Sequence, residues 1–413
     1  MSRSSLALSN LRGIVIVIVL AFHSVLAYLA SLPAAPYAFD LPPYRWQATP
    51  IIDPHRWFGF DLFCAWQDVS LMALMFLLSG IFVPASLRRK GSWVFLSDRF
   101  VRIGVPLAFV VAFIMPIAYY PAYSVSAADP GLEAFWRHWL ALPFWSPGPQ
   151  WFLWMLLALN VIAAGVHRLA PTWHERLSRQ MTELGDRPVR FFLVLAGISA
   201  LAYIPLALAY TPWAWTNVGP FSFQLCRPLH YLVYFFAGYM IGAHGLDRGL
   251  IACDGPLARH WRGWLVAALI GFVLWALPTS QMLGAGDAPL LVQFASGLGY
   301  VVACAAGCLC FLALCLRWTQ ARVRLLDSLS DNAYNMYLIH YVFVVWLQFA
   351  VLPLALFAIG KAAIVFAGTL AASWAVSVAL GNALASQQVA QVKRWLGASF
   401  SGLKAPAMIK QDD

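Results

Sequence analysis

The sequence predicts an all-α membrane protein, a polytopic bundle of about ten transmembrane helices. Three observations carry this. Of the 413 residues, 62% are hydrophobic and only 11% are charged, against roughly a quarter charged in soluble domains. Mean hydropathy is +0.72. Apolar runs of about 20 residues, the length that crosses a hydrocarbon core, recur along the chain. In lipid a backbone must satisfy its own hydrogen bonds, so such runs fold as helices.

The runs fall near residues 11–31, 62–83, 101–121, 151–170, 191–210, 227–246, 263–279, 291–316, 333–353 and 360–381. The first follows Arg3 and exceeds the 7–15 residues of a signal-peptide core, so it reads as an uncleaved span. It leads into an outer loop, 32–60, rich in Pro, Trp, Phe and Tyr. That loop and its counterpart at 122–150 read as aromatic, interfacial lids. The second run holds Asp68, with Asp61 near its outer edge, and the third begins at Arg99 and Arg102. Residues 171–190, after the fourth run, are polar and basic and read as a plain connection. The eighth run carries Cys304, Cys308, Cys310 and Cys315 of the seven cysteines. With no CxxC and no Cys/His metal spacing, these read as small hydrophobes, and neither a metal nor a disulfide framework is expected. Residues 1–390 then form one integral-membrane domain, and 391–413 a short tail.

Orientation follows the Lys and Arg distribution. With the N-terminus inside, 22 of the 27 basic residues fall on the cytoplasmic side; only Arg45, Arg56, Arg137, Arg227 and Lys361 face out. Both termini are therefore expected in the cytoplasm. The formal charge of +10 is a sorting signal in this arrangement, which removes nucleic acid as a partner. No internal repeat is evident, which weakens an inverted-repeat transporter.

An ionisable group inside a span is a functional candidate by default. His23 sits inside the first run, and Arg12 lies eleven residues earlier. Eleven residues are about three helical turns, which places both on one face roughly 16 Å apart. That spacing suits a long, phosphate-bearing donor anchored at Arg12 and reacting at His23. Asp68 lies at a similar depth to His23, where a carboxylate would fix the imidazole tautomer; equally, it pairs with another polar group. Arg99 and Arg102 share a helix face and offer two guanidinium forks to phosphates, unless they serve only positive-inside retention. Arg88-Arg89-Lys90 is read as retention. Tyr337, His340 and Tyr341 form one stripe that lines a cavity or hydrogen-bonds between helices.

Taken in order, these residues resemble the integral-membrane acyltransferase-3 family of bacterial carbohydrate O-acyltransferases. The matching strings are Leu11-Arg12-Gly13 with Phe22-His23-Ser24, Met75-Phe76-Leu77-Leu78-Ser79-Gly80-Ile81-Phe82, Arg99-Phe100-Val101-Arg102 before Pro106, Gly148-Pro149-Gln150-Trp151-Phe152-Leu153-Trp154, and Tyr337-Leu338-Ile339-His340. The resemblance implies ten core helices, acyl-CoA as a cytoplasmic co-substrate with no tightly bound cofactor, and transfer to a hydroxyl at the outer face of the cell inner membrane. It also implies a catalytic role for His23 and donor binding or activity for Arg12, Arg99 and Arg102. On this reading the acceptor is a glycan or lipid-linked sugar, and acetyl and succinyl are both open as the acyl group. Asp68 is expected to orient His23, while Trp151, Tyr337 and His340 are expected to line the cavity. The rival reading is a proton-coupled transporter or flippase using His23 and Asp68 as a relay.

Overall fold

The computed structural model describes residues 2–170, 172–284 and 288–400, and a helix occupies each of the ten apolar runs. The helices are α1 (Arg3–Val25), α2 (Phe58–Ile81), α3 (Val83–Ser124), α4 (Leu132–Ala141), α5 (Trp151–Leu169) and α6 (Trp173–Leu184). They continue as α7 (Pro188–Tyr210), α8 (Pro228–His244), α9 (Trp261–Gly284), α10 (Leu290–Trp318), α11 (Arg324–Val351) and α12 (Ala358–Phe400). Among the described residues nine are long and apolar enough to cross a membrane. The tenth, α8, has 17 residues, about 26 Å at 1.5 Å per residue, and falls just short of a hydrocarbon core. The protein is thus a polytopic helical bundle. Helix α12 takes in the first part of the expected tail at 391–413; residues 401–413 lie outside the described residues.

Small residues bring the central helices together. Helix α10 is the most enclosed, with Cys304, Ala305, Ala306, Cys308 and Leu309 fully buried. A Cβ on Gly238 or Gly242 of α8 would strike the carbonyls of Leu77 or Ile81 on α2, and one on Gly80 would strike the Phe235 carbonyl. This backbone-to-backbone approach is the purpose of a small-x-x-x-small pair between membrane helices. Helix α1 is an integral member of the core and is clamped by α11 at both ends. Ser9 and Ser330 hydroxyls meet at 2.6 Å at one end. At the other, Gln348 Nε2 donates to the His23 and Ser24 carbonyls at 3.0 and 3.3 Å.

Helix α3 turns sharply at Gly91, whose φ is +72°, and beyond that turn contains two π-helical turns, Phe100–Gly104 and Val110–Ile114. Prolines interrupt its ladder, because a proline cannot donate to the carbonyl four residues earlier. Pro106 leaves the Arg102 carbonyl, to which the Tyr334 hydroxyl donates at 2.7 Å. Pro121 leaves the Ile117 carbonyl, to which Trp346 Nε1 donates at 2.9 Å. Both donors belong to α11.

The loop between α1 and α2 is held by specific contacts. Phe39 and Trp46 stack at 4.4 Å, and Trp46 Nε1 donates to the Phe39 carbonyl. Tyr119 and Tyr341 hydroxyls both donate to the Gln47 carbonyl. Lys361, expected to face out at the start of the tenth run, is fully buried and donates to Asp53 at 2.7 Å. An unexpected antiparallel hairpin, β1 (Trp215–Val218) and β2 (Phe221–Gln224), folds over the same end of the bundle and turns at Gly219, whose φ is +58°.

Candidate active site

His23 lies in the last turn of α1, where the α11 clamp fixes the backbone. Its Nδ1 lies 2.9 Å from the Val19 carbonyl. A carbonyl only accepts, so Nδ1 carries the proton and Nε2 keeps a lone pair, the form a general base requires. The ring sits on the wall of a cavity of about 620 Å³. The cavity is bounded by α1, α2, α11, the loop around Gln47, the Pro147–Trp151 turn and the β-hairpin.

Asp68 lines the same cavity, as its depth suggested, but it does not orient His23. Its carboxylate is held by both arms of Arg227, Oδ1–Nη1 at 2.8 Å and Oδ2–Nη2 at 2.5 Å. The tautomer-fixing task expected of Asp68 falls to the Val19 carbonyl. Arg227 also lies over the Tyr300 ring, and its own burial explains the arrangement: a desolvated guanidinium needs a carboxylate. By sequence Arg227 reads only as an outward-facing charge at the start of its span. An arginine at the edge of one span facing an aspartate in another was the available signal, since intramembrane charges come in pairs.

Trp151 and Tyr337 line the cavity, whereas His340 lies one layer behind it. The rings of Trp151 and Trp215 meet edge to face at 5.9 Å. The Tyr337 hydroxyl donates to the Pro149 carbonyl. Gln150 Nε2 donates to the Tyr337 and Leu338 carbonyls, so the Gly148-Pro149-Gln150 turn is fastened to α11. His340 is fully buried with its ring 5.1 Å from that of His23. Gln67 lines the cavity at 2% exposure, and neither its amide nitrogen nor its oxygen has a partner. Buried polar groups are almost always paired, so this unpartnered amide in the wall of the cavity is an exception.

A second cavity of about 330 Å³ lies toward the opposite end of α1 and α2. Arg99 and Arg102 line it, and so do Arg89 and Lys90, which by sequence alone read as positive-inside retention. Arg12 reaches its edge, with the guanidinium 5.3 Å over the ring of Phe82, a lining residue. Four cations face one carboxylate there, Asp98, which pairs with Lys90. Such a pocket suits an anion with several charges. The first cavity ends at Met72 of α2 and the second begins at Phe82, just past the end of that helix, a gap of about 15 Å at 1.5 Å per residue. By helical spacing Met75 and Ser79 occupy the α2 face between them.

Compared with known proteins, the chain matches the acyltransferase-3 family model, described as an acyltransferase domain, over residues 5–378. No curated protein and no solved structure matches it.

Proposed function

The chain belongs to the acyltransferase-3 family, a family of membrane acyltransferases, and from that premise we propose that it transfers an acyl group from acyl-CoA to a hydroxyl of a glycan or lipid-linked sugar. The observation that carries this reading is His23. It lines the cavity with Nδ1 committed to Val19, eleven residues along α1 from Arg12, whose guanidinium sits at the rim of a polycationic pocket. In this reading the CoA phosphates lie among Arg89, Lys90, Arg99 and Arg102, with Arg12 at the rim. The flexible arm follows α1 and α2 past Met75 and Ser79, so that the thioester reaches His23. His23 Nε2 takes the proton of the acceptor hydroxyl as its oxygen attacks the thioester carbonyl. The tetrahedral intermediate collapses, the thiolate leaves, and His23 returns the proton to give free CoA and the ester. General-base help of this kind contributes about 10² to 10⁴ in rate.

Tyr337 is committed to Pro149, so the idle amide of Gln67 is the better candidate to steady the developing oxyanion. The basic end faces the cytoplasm of the cell inner membrane, an orientation supported by the charge distribution. Acetyl and succinyl groups both remain compatible. The relay of a transporter needs His23 and Asp68 to exchange a proton, and Asp68 is engaged by Arg227, so no observation favours that alternative.

The test uses purified protein in lipid vesicles, supplied with acetyl-CoA or succinyl-CoA and a panel of glycans. Free thiol and a mass gain on the glycan are expected together. His23→Ala is expected to abolish both with unchanged thermal unfolding. Wild-type transfer by that variant would remove His23 from the mechanism, and glycan transport without thiol release would remove the enzyme.

A further inference from the structure

The β-hairpin at the cavity is sorted the wrong way round for a sheet that meets water. Directly paired residues share a face and successive ones alternate. The register of Trp215 with Gln224 and of Asn217 with Ser222 therefore puts these four on one side. All four line the cavity. Thr216, Val218, Phe221 and Phe223 take the other side, and none of them lines it. The inward set is polar but for one tryptophan, and the outward set is apolar but for one threonine. An antiparallel sheet between a core and water carries the opposite sorting, apolar inward and polar outward. Polar-in, apolar-out alternation is what strands show when hydrocarbon lies behind them.

The outward face is also open. Phe221 and Phe223 touch Trp154 of α5, with ring centroids at 5.1 and 5.6 Å, yet Phe221 is 45% exposed and Val218 61%. No charged residue and no histidine falls between Thr211 and Cys226. The hairpin directly links two spans, α7 and α8, and the adjoining Tyr210 and Leu229 are exposed as well. Trp145, whose N–H donates to the Gly219 carbonyl, adds another exposed indole. An uncharged, aromatic-rich surface continuous with the exposed sides of two spans matches the interfacial layer of a bilayer.

We propose that the hairpin is seated in the lipid leaflet at that end of the bundle, and that the acceptor is an amphiphile. Its hydroxyl-bearing head occupies the cavity while its hydrocarbon chain stays in the leaflet. The second half rests on the acyl-transfer reading; the first does not. Trp213 and Trp215 mark where the two parts of such a molecule meet, since both line the cavity and both are nearly half exposed. Inside, Asn217, Ser222 and Gln224 offer amide and hydroxyl groups to a polyol head. A single two-stranded ribbon separates those groups from lipid, so a tethered head enters beside the hairpin without its chain leaving the leaflet. The tether raises the local concentration of the head at the cavity.

The first measurement needs no substrate. Val218→Cys and Phe221→Cys each receive a nitroxide label, the seven native cysteines being buried, and are reconstituted in vesicles of phosphatidylethanolamine and phosphatidylglycerol. Power-saturation EPR is expected to show stronger relaxation by oxygen, which concentrates in lipid, than by a water-soluble nickel chelate. Nickel relaxation equal to or above that of oxygen at either position overturns the seating. The second measurement follows thiol release from acetyl-CoA with methyl glucoside or dodecyl glucoside as acceptor. A kcat/KM about tenfold or more higher for dodecyl glucoside is expected, and equal use overturns the amphiphile. Val218→Asp with Phe221→Asp, on the face away from the cavity, is expected to lower transfer to dodecyl glucoside about tenfold and to spare methyl glucoside. The milder pair Val218→Ser with Phe221→Ser is expected to move the ratio the same way, and transfer to methyl glucoside reports that each variant is folded. A ratio unchanged in both pairs rejects the hairpin's part. If the wild-type protein releases no thiol with either glucoside while the labels report lipid, the seating stands and the acyl-transfer reading falls.

Discussion

The ion pair between Asp68 and Arg227 allows a quantitative test of how the cavity is held open. The Arg227 side chain is 5% exposed and that of Asp68 is 43% exposed to the cavity. Asp68→Ala leaves a guanidinium without its counter-ion; its remaining contacts, the backbone carbonyl of residue 68 and the Tyr231 hydroxyl, each at 3.4 Å, and the Tyr300 face, carry no negative charge. Removing one partner of a buried pair costs about 3–5 kcal/mol. Because water in the cavity reaches the vacated position, the lower end, about 3 kcal/mol, is expected. At about 2 °C per kcal/mol for a chain of this length, apparent Tm falls by about 6 °C. Replacing both partners, Asp68→Leu with Arg227→Met, removes the charge along with its counter-ion and is expected to melt within about 2 °C of wild type. Tryptophan fluorescence during heating in detergent reads all three proteins. A single variant as stable as wild type, or a double variant as weak as the single, would refute the claim that Asp68 serves Arg227.

Three further outcomes are expected. Gly238→Ala drives a methyl group into the Leu77 carbonyl and forces α2 from α8, so thermal stability is expected to drop by about 1–3 kcal/mol in the same melting assay. Arg89→Gln and Arg102→Gln each remove a cation from the second cavity; KM for acetyl-CoA is expected to rise about tenfold, more at low salt than at high, while kcat holds. Ser79→Trp places an indole between the two cavities, so displacement of a fluorescent CoA analogue is expected to persist while acyl transfer falls by about tenfold or more, and retained transfer would place the donor's route elsewhere.

The spans were legible because lipid leaves so little choice: about 20 apolar residues have few folds other than a helix. His23, Arg12, Arg99 and Arg102 were legible for the complementary reason, that a polar residue in such a run stands out. Distance in the chain hid the rest. Asp68 and Arg227 are 159 positions apart, and nothing local to either names its partner. Arg89 and Lys90 look like any basic loop until the turn of α3 brings them beside Arg99 and Arg102. The hairpin at 215–224 was hidden differently, since four-residue strands carry too little alternation to be read next to long apolar helices. Gly238 and Gly242 carried a readable signal, the four-residue spacing of small residues, though not the identity of the helix they meet.

The two carbonyls opened by Pro106 and Pro121 also bear on how this chain is made. Their donors, Tyr334 and Trp346, are more than two hundred residues downstream, so a ribosome releases α3 into the bilayer long before α11 exists. Until then the helix carries backbone acceptors that hydrocarbon cannot serve. A nascent chain halted ahead of Arg324 would hold α3 in that unfinished condition. The late arrival of one helix thereby decides when an early one is complete.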